Sequence, residues 1–250
     1  MATIHDSERW ALVTGSARRI GRAIALELAA HGFDIIVHYH RSADEAQQLA
    51  NQIQDMGRNA CLAEIDLSDA RLAEHLIPSL AEEIGMIEIL VNNASLFEPD
   101  SDDPDGSRHW AVNADAPRLL SKSFRDHLPP DEKGVIINIL DSAPPAPNFS
   151  AYNRSKSFLA DMTRNMAKSF APQVRVNGVA PAYVLPSPRQ SEDSFRKMAK
   201  GNIATPQAVA TAVRRLVETP SATGEIVVIG GNVNDNGAEH SHTPSSTDKI

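Results

Sequence analysis

The feature that most limits how this chain can fold is a regular alternation of short apolar runs with longer amphipathic segments, sustained from Trp10 to Ile229. The apolar runs are residues 10–13, 35–39, 60–65, 87–91, 135–140, 174–179 and 225–229. They lack strict apolar–polar alternation, so they read as strands buried on both faces, which is the pattern of a parallel sheet covered by helices. Between them, residues 20–30, 43–56, 69–84, 107–127, 151–170, 191–200 and 206–218 carry helical patterns, with Gly57 as a stop signal and Pro78 tolerated inside the third. Residues 1–9 read as a flexible leader, and 232–250 as a polar tail, disordered at its end.

The expected fold is therefore α/β: a single doubly wound, Rossmann-type domain over residues 10–231 with a parallel sheet of about seven strands. A chain of 250 residues suits one such domain. A formal net charge of −8 without a basic run argues against nucleic acid or an anionic membrane as partner. The single cysteine, Cys61, forms no intrachain disulfide and reads as a small apolar filler. With no long apolar segment or cleavable signal, the expectation is a cytoplasmic protein. His240 and His242 lie in the tail without a scaffold, so no metal site is expected.

In doubly wound sheets ligands sit beyond the carboxyl ends of the strands. The polar clusters of this chain fall there: Gly15–Arg19 with Ile20 and Gly21, His40–Arg41–Ser42, Asp66 with Leu67, Asn93–Ala94–Ser95, Asp141, and the loop at Pro181. The first, TGSARRIG, joins a strand to a helix N-terminus, where free N–H groups and the helix dipole favour a pyrophosphate. At the second strand end, where an NAD site carries an acidic residue, Arg41 stands between His40 and Ser42. A guanidinium and two small donors suit a 2′-phosphate, so NADPH is the expected cofactor. In the plainer reading Arg41 is solvated, Ser42 caps the next helix, and Arg18 and Arg19 coat theirs.

YNRSK supplies the chemistry. Tyr152 and Lys156 are one helical turn apart on the same face. A free phenol has a pKa of about 10, and a neighbouring ammonium is expected to lower it, making a proton donor for a group that receives hydride.

TGSARRIG, NNAS, Asn113 in VNADAP, YNRSK and VNGVAPA follow the order of the short-chain dehydrogenase/reductase family, which the chain resembles over nearly its whole length. The resemblance implies a tetrad: Tyr152 as acid/base, Lys156 lowering its pKa and holding the nicotinamide ribose, Asn113 anchoring a proton-relay water, and a polar residue ending the fifth strand. That last place, usually serine, holds Asp141, with Ser142 beside it.

Arg19 in place of the middle glycine, Asp141, NNAS followed by Leu96 and Phe97, and HYHRSADEA resemble the pteridine reductases and the bacterial dihydromonapterin reductases. By that resemblance Arg19 touches pyrophosphate and pterin, Ser95 lies beside them, Phe97 stacks on the pterin, Asp141 handles its proton, and Val184 lies in the substrate loop. The family pattern has glycine, serine and an acidic residue where Ala182, Val184 and Ile229 stand. The resemblance also implies a homotetramer packed through residues 107–127 and 151–170. The expected function is NADPH-dependent reduction of a pterin or dihydropteridine at a C=N bond. The alternatives are a carbonyl reductase of the same family, such as one for 3-oxoacyl thioesters, and a catalytically silent NADP-binding protein. Read plainly, Phe97 is a core residue under a loop and Asp141 a strand-end cap.

Overall fold

The computed structural model describes residues 9–143 and 146–230. Most of the expected leader, the expected tail with His240 and His242, and Gly231 lie outside them. The chain alternates β1 (Trp10–Val13), α1 (Arg19–Ala30), β2 (Asp34–Tyr39), α2 (Ala43–Asp55), β3 (Ala60–Glu64), α3 (Ala70–Ile84) and β4 (Ile87–Asn92). Next come α4 (Ser107–Trp110), a π-helical turn (Ala111–Asp115) and α5 (Ala116–His127). The chain closes with β5 (Gly134–Ile139), α6 (Ser150–Phe170), β6 (Val174–Pro181), α7 (Glu192–Ala199), α8 (Pro206–Glu218) and β7 (Ile226–Ile229). All seven strands are parallel, in the order β3-β2-β1-β4-β5-β6-β7. The single Rossmann-type domain expected from the alternation is the fold observed.

Each side of the sheet has its own apolar layer. Side chains alternate across a strand, so Ala11 and Val13 face one layer while Trp10 and Leu12 face the other. The first layer joins Ile24 and Leu28 of α1 and Leu49 and Ile53 of α2 to Val209 and Val213 of α8. The second joins Leu76, Ile77 and Leu80 of α3 to Leu120 and Phe124 of α5. Pro78 lacks the N–H that would bond the Glu74 carbonyl, and the Ser123 hydroxyl of α5 donates to that carbonyl at 3.3 Å instead. The third helix thus runs through its proline.

One element departs from the sequence pattern. The expected continuous helix over residues 107–127 contains the π turn, which carries Asn113. Such turns widen the helix by one residue and re-aim a side chain, and periodicity alone does not reveal them. Among the described residues, no helix is long and apolar enough to cross a membrane.

Candidate active site

Strand order reverses between β1 and β4, and the two strand ends are stitched together there. The Thr14 hydroxyl accepts the N–H groups of Asn93 and Ala94, both at 2.9 Å, and the Asn93 amide donates to the carbonyls of Thr14 (2.8 Å) and Gly15 (3.2 Å). Gly15 adopts φ +63°, a conformation that a side chain strains. A Cβ on Gly21 would meet the Gly15 carbonyl oxygen at 2.4 Å and the Asn93 amide at 2.5 Å. Glycine at both positions holds the helix start tight against the strand ends, as a pyrophosphate cradle requires.

A residue given no role of its own in the sequence reading secures this turn. The buried His38 ring accepts the Gly15 N–H at Nδ1 (2.9 Å), while Nε2 faces the Ile65 carbonyl at 3.2 Å. Burial pushes its pKa down to about 4, so the ring is neutral with its proton on Nε2. Only the position of His38 at a strand end hinted at this.

At the end of β2, His40 Nε2 lies 3.6 Å from the Asp66 carboxylate, and Arg41 is exposed. Ser42 stands at the N-cap of α2 but makes no capping bond. Its hydroxyl instead accepts from Arg18 at 2.5 Å, and Arg18 also pairs with Glu45 at 3.3 Å. The Ser42 cap of the plainer reading is therefore replaced by a side-chain bridge, and Arg18 joins His40, Arg41 and Ser42. Cationic and hydroxyl donors outside a glycine turn fit a phosphorylated ribose.

Arg19 does more than coat its helix. It has φ +55°, the left-handed conformation that suits the glycine of the family pattern, and its guanidinium donates to the carbonyls of Leu185 (3.3 Å) and Pro186 (2.9 Å). The glycine turn and the loop after β6 are thus joined across the cleft. Ile20 and Leu67 pack on the two core layers, and Pro181 ends β6 with its carbonyl accepting the Ser142 N–H at 3.1 Å. Val184 in that loop is 7 % exposed and packs in the first apolar layer. A valine shields its methyls there at no polar cost.

The groups expected to react lie between β5 and α6. The Tyr152 hydroxyl donates to the Asp141 carboxylate at 2.5 Å, and the other carboxylate oxygen accepts the Ala143 N–H at 2.7 Å. Asp141 is therefore both the strand-end cap and the partner of the tyrosine. Lys156 Nζ donates to the Ile139 carbonyl at 3.0 Å and sits 5.9 Å from the centre of the Tyr152 ring.

This arrangement corrects one expectation. Burial, reinforced by the charge and hydrogen bond of Asp141, pushes the Tyr152 phenol well above its usual pKa. Burial also raises Asp141, against the opposing Tyr152 bond, Ala143 N–H and Lys156 charge. It lowers Lys156 to about 8, with Asp141 opposing. The ammonium does not win because desolvation penalises every charge in the pocket and the carboxylate is nearer the phenol. The Tyr152 phenol therefore keeps its proton and donates it in a hydrogen bond to Asp141.

Asn113 fastens the neighbouring loop. Its carbonyl oxygen accepts Leu96 N–H (2.7 Å) and the Ser95 hydroxyl (3.2 Å), and its amide donates to Leu96 O (2.9 Å) and Ser155 Oγ (3.0 Å). Both donors and both lone pairs are engaged, so a relay water expected at Asn113 would have to bond its main chain. Phe97, two residues beyond Ser95, is 43 % exposed and is not a core residue. It stacks on Phe149 (4.5 Å, 11°) and meets Tyr152 edge to face (4.7 Å, 84°). No group of three or more metal-ligating side chains occurs among the described residues.

The glycine turn, phenol, amine and strand-end carboxyl on a doubly wound sheet define a dinucleotide-dependent oxidoreductase site. Residues 9–197 match the family described as short chain dehydrogenase, and the chain belongs to that family. It is 38 % identical, with a TM-score of 0.83, to FolM alternative dihydrofolate reductase 1 from Brucella canis complexed with NADP, covering 88 % of this chain and 92 % of that one. A short chain dehydrogenase from Burkholderia cenocepacia in complex with NADP superposes with a TM-score of 0.81 at 29 % identity, over 89 % and 96 % of the two chains. Pteridine reductase 1 from Leishmania tarentolae is 30 % identical over 235 residues, 75 % of this chain and 81 % of that protein.

Proposed function

We propose that this protein is an NADPH-dependent reductase of pterins or dihydropteridines, acting at a C=N bond. The observation that carries the reading is the 2.5 Å bond between Tyr152 and Asp141 beside the half-exposed ring of Phe97. A carbonyl receiving hydride becomes an alkoxide, which a carboxylate repels. A ring nitrogen instead takes up a proton, which a phenol held against a carboxyl group can deliver. Phe97 offers an aromatic face to a flat heterocycle at the same place.

The cofactor, when bound, supplies the hydride. Arg18, His40, Arg41 and Ser42 would hold its 2′-phosphate, Gly15 and Gly21 its pyrophosphate, and Lys156 its ribose. Arg19, Ser95, Phe97, Asp141 and Tyr152 would line the substrate site. The relatives crystallised with NADP support this choice of cofactor. The reading extends to a cytoplasmic homotetramer, in which α4, α5 and α6 form the contact. Trp110 and Phe158, both exposed and 4.9 Å apart, provide apolar surface there.

The test is steady-state kinetics with NADPH on dihydrobiopterin, dihydromonapterin, dihydrofolate and acetoacetyl thioester. Asp141→Ser should lower kcat/KM on dihydropterins and leave ketone activity unchanged or raised. Wild-type protein that reduces the thioester and no pterin would refute the reading.

A further inference from the structure

The stretch from Glu98 to Gly106 reads in sequence as an acidic surface loop, and one of its carboxylates is not on the surface. Asp103 is 3 % exposed and His109, in α4, is fully buried. His109 Nδ1 meets Asp103 Oδ2 at 2.6 Å. The same carboxylate accepts the main-chain N–H groups of His109 (2.9 Å) and Arg108 (3.2 Å). The other ring nitrogen, Nε2, accepts the Glu98 N–H at 3.2 Å, which leaves Nδ1 to carry the proton given to Asp103. Every polar atom of the pair has a partner.

Two apolar side chains would fill this space without the cost of desolvating a carboxylate and an imidazole. What they could not supply is direction. Nε2 holds the main chain of the residue next to Phe97, and the His109 ring lies edge-on to Tyr152 at 6.4 Å. Phe97 in turn meets Tyr152 at 4.7 Å. The polar pair thus grips the main chain at Glu98, on one side of Phe97, while Asn113 grips it at Leu96 on the other. Buried, fully satisfied polar pairs of this kind select one geometry out of several that pack equally well.

We infer that His109, oriented by Asp103, is a positioning residue of the reductase: it fixes the aromatic wall formed by Phe97 against Tyr152 and so sets substrate affinity without touching substrate or cofactor. The inference needs a substrate lying against Phe97 and Tyr152, but not that this substrate be a pterin.

Two replacements separate its links. His109→Asn keeps a donor near the Nδ1 position for Asp103 and loses the reach to Glu98, whereas His109→Gln keeps an acceptor near the Nε2 position. KM and kcat are measured on dihydrobiopterin, the dissociation constant of NADPH by fluorescence titration, and folding by thermal melting. If wild type reduces no dihydropterin, the pterin reading has failed and acetoacetyl thioester becomes the substrate under the same criteria. His109→Asn should raise KM by about tenfold, with kcat and NADPH affinity within about twofold of wild type, and His109→Gln should restore KM to within about threefold. On a Phe97→Ala background His109→Asn should add no further KM change, because the two act through one ring. Should His109→Asn not fold, Asp103→Asn, which keeps the shape but weakens the hold on the ring, should raise KM by about threefold. A folded variant with wild-type KM, a parallel loss of kcat and NADPH affinity, or additivity with Phe97→Ala would overturn the inference.

Discussion

The two walls of the cleft are held by different kinds of contact. At the glycine turn, main-chain groups and buried polar side chains do the work: Thr14 on Asn93 and Ala94, Asn93 on Thr14 and Gly15, and His38 on Gly15. Across the cleft, side chains tie loops to one another. Arg19 holds the carbonyls of Leu185 and Pro186, Arg189 pairs with Asp102, and Asp100 accepts the Ser150 and Ala151 N–H groups at the start of α6. A wall made of main chain accepts few substitutions and keeps one shape. Where a wall is tied by exposed side chains, as at Arg189 and Asp102, it can change those residues while the first stays put.

That contrast can be broken or sharpened by experiment. The largest effect belongs to the seam between the walls. Tyr152→Phe removes the proposed proton donor but not the fold, so kcat should fall by roughly a hundredfold to ten-thousandfold with NADPH affinity unchanged. Single-turnover kinetics and fluorescence titration measure the two quantities, and near-normal turnover would dissolve the assigned role.

On the rigid wall, His38 makes stability depend on pH. Its pKa falls from the ordinary 6.5 to about 4 in the folded state, so the unfolded chain binds the proton first as pH drops. The stabilisation is complete above pH 6.5 and is lost as pH falls through about 4. A loss of about 2–3 kcal/mol over that window is expected from the size of the shift. Chemical denaturation at a series of pH values reads it out. His38→Leu should flatten this part of the profile at the cost of the Gly15 bond.

Gly21→Ala tests the same wall by crowding. A Cβ 2.4 Å from the Gly15 oxygen forces main chain to move, costing about 1–3 kcal/mol in stability and weakening NADPH binding. Thermal melting and cofactor titration should move together, and an unchanged protein would mean that the turn is not tight. The smallest effect is expected on the opposite wall. Arg189→Ala deletes an exposed, solvent-screened ion pair with Asp102, so the melting temperature should hardly change. If the loops are held as described, KM should respond more than the melting temperature.

Sequence alone determined the sheet and its helices, because those follow from local apolar patterning and from glycine and proline chemistry within a few residues. That Phe97, Asp141, Tyr152 and Lys156 lie near one another was legible for the same reason: each lies in a short motif near the end or start of an element. The chain order gave no sign that Asn113 sits on a π turn with its amide wholly engaged, since that geometry is fixed by Leu96 and Ser155 from other elements. Nor did it show that Arg18 answers Ser42, that His38 supports Gly15, or that Val184 turns inward. The direction of the Tyr152 shift was decided by tertiary structure too. Helical spacing puts an ammonium near the phenol, but only folding shows that both are desolvated and that Asp141 lies closer, and in a buried pocket desolvation and the nearest charge outweigh the more distant one.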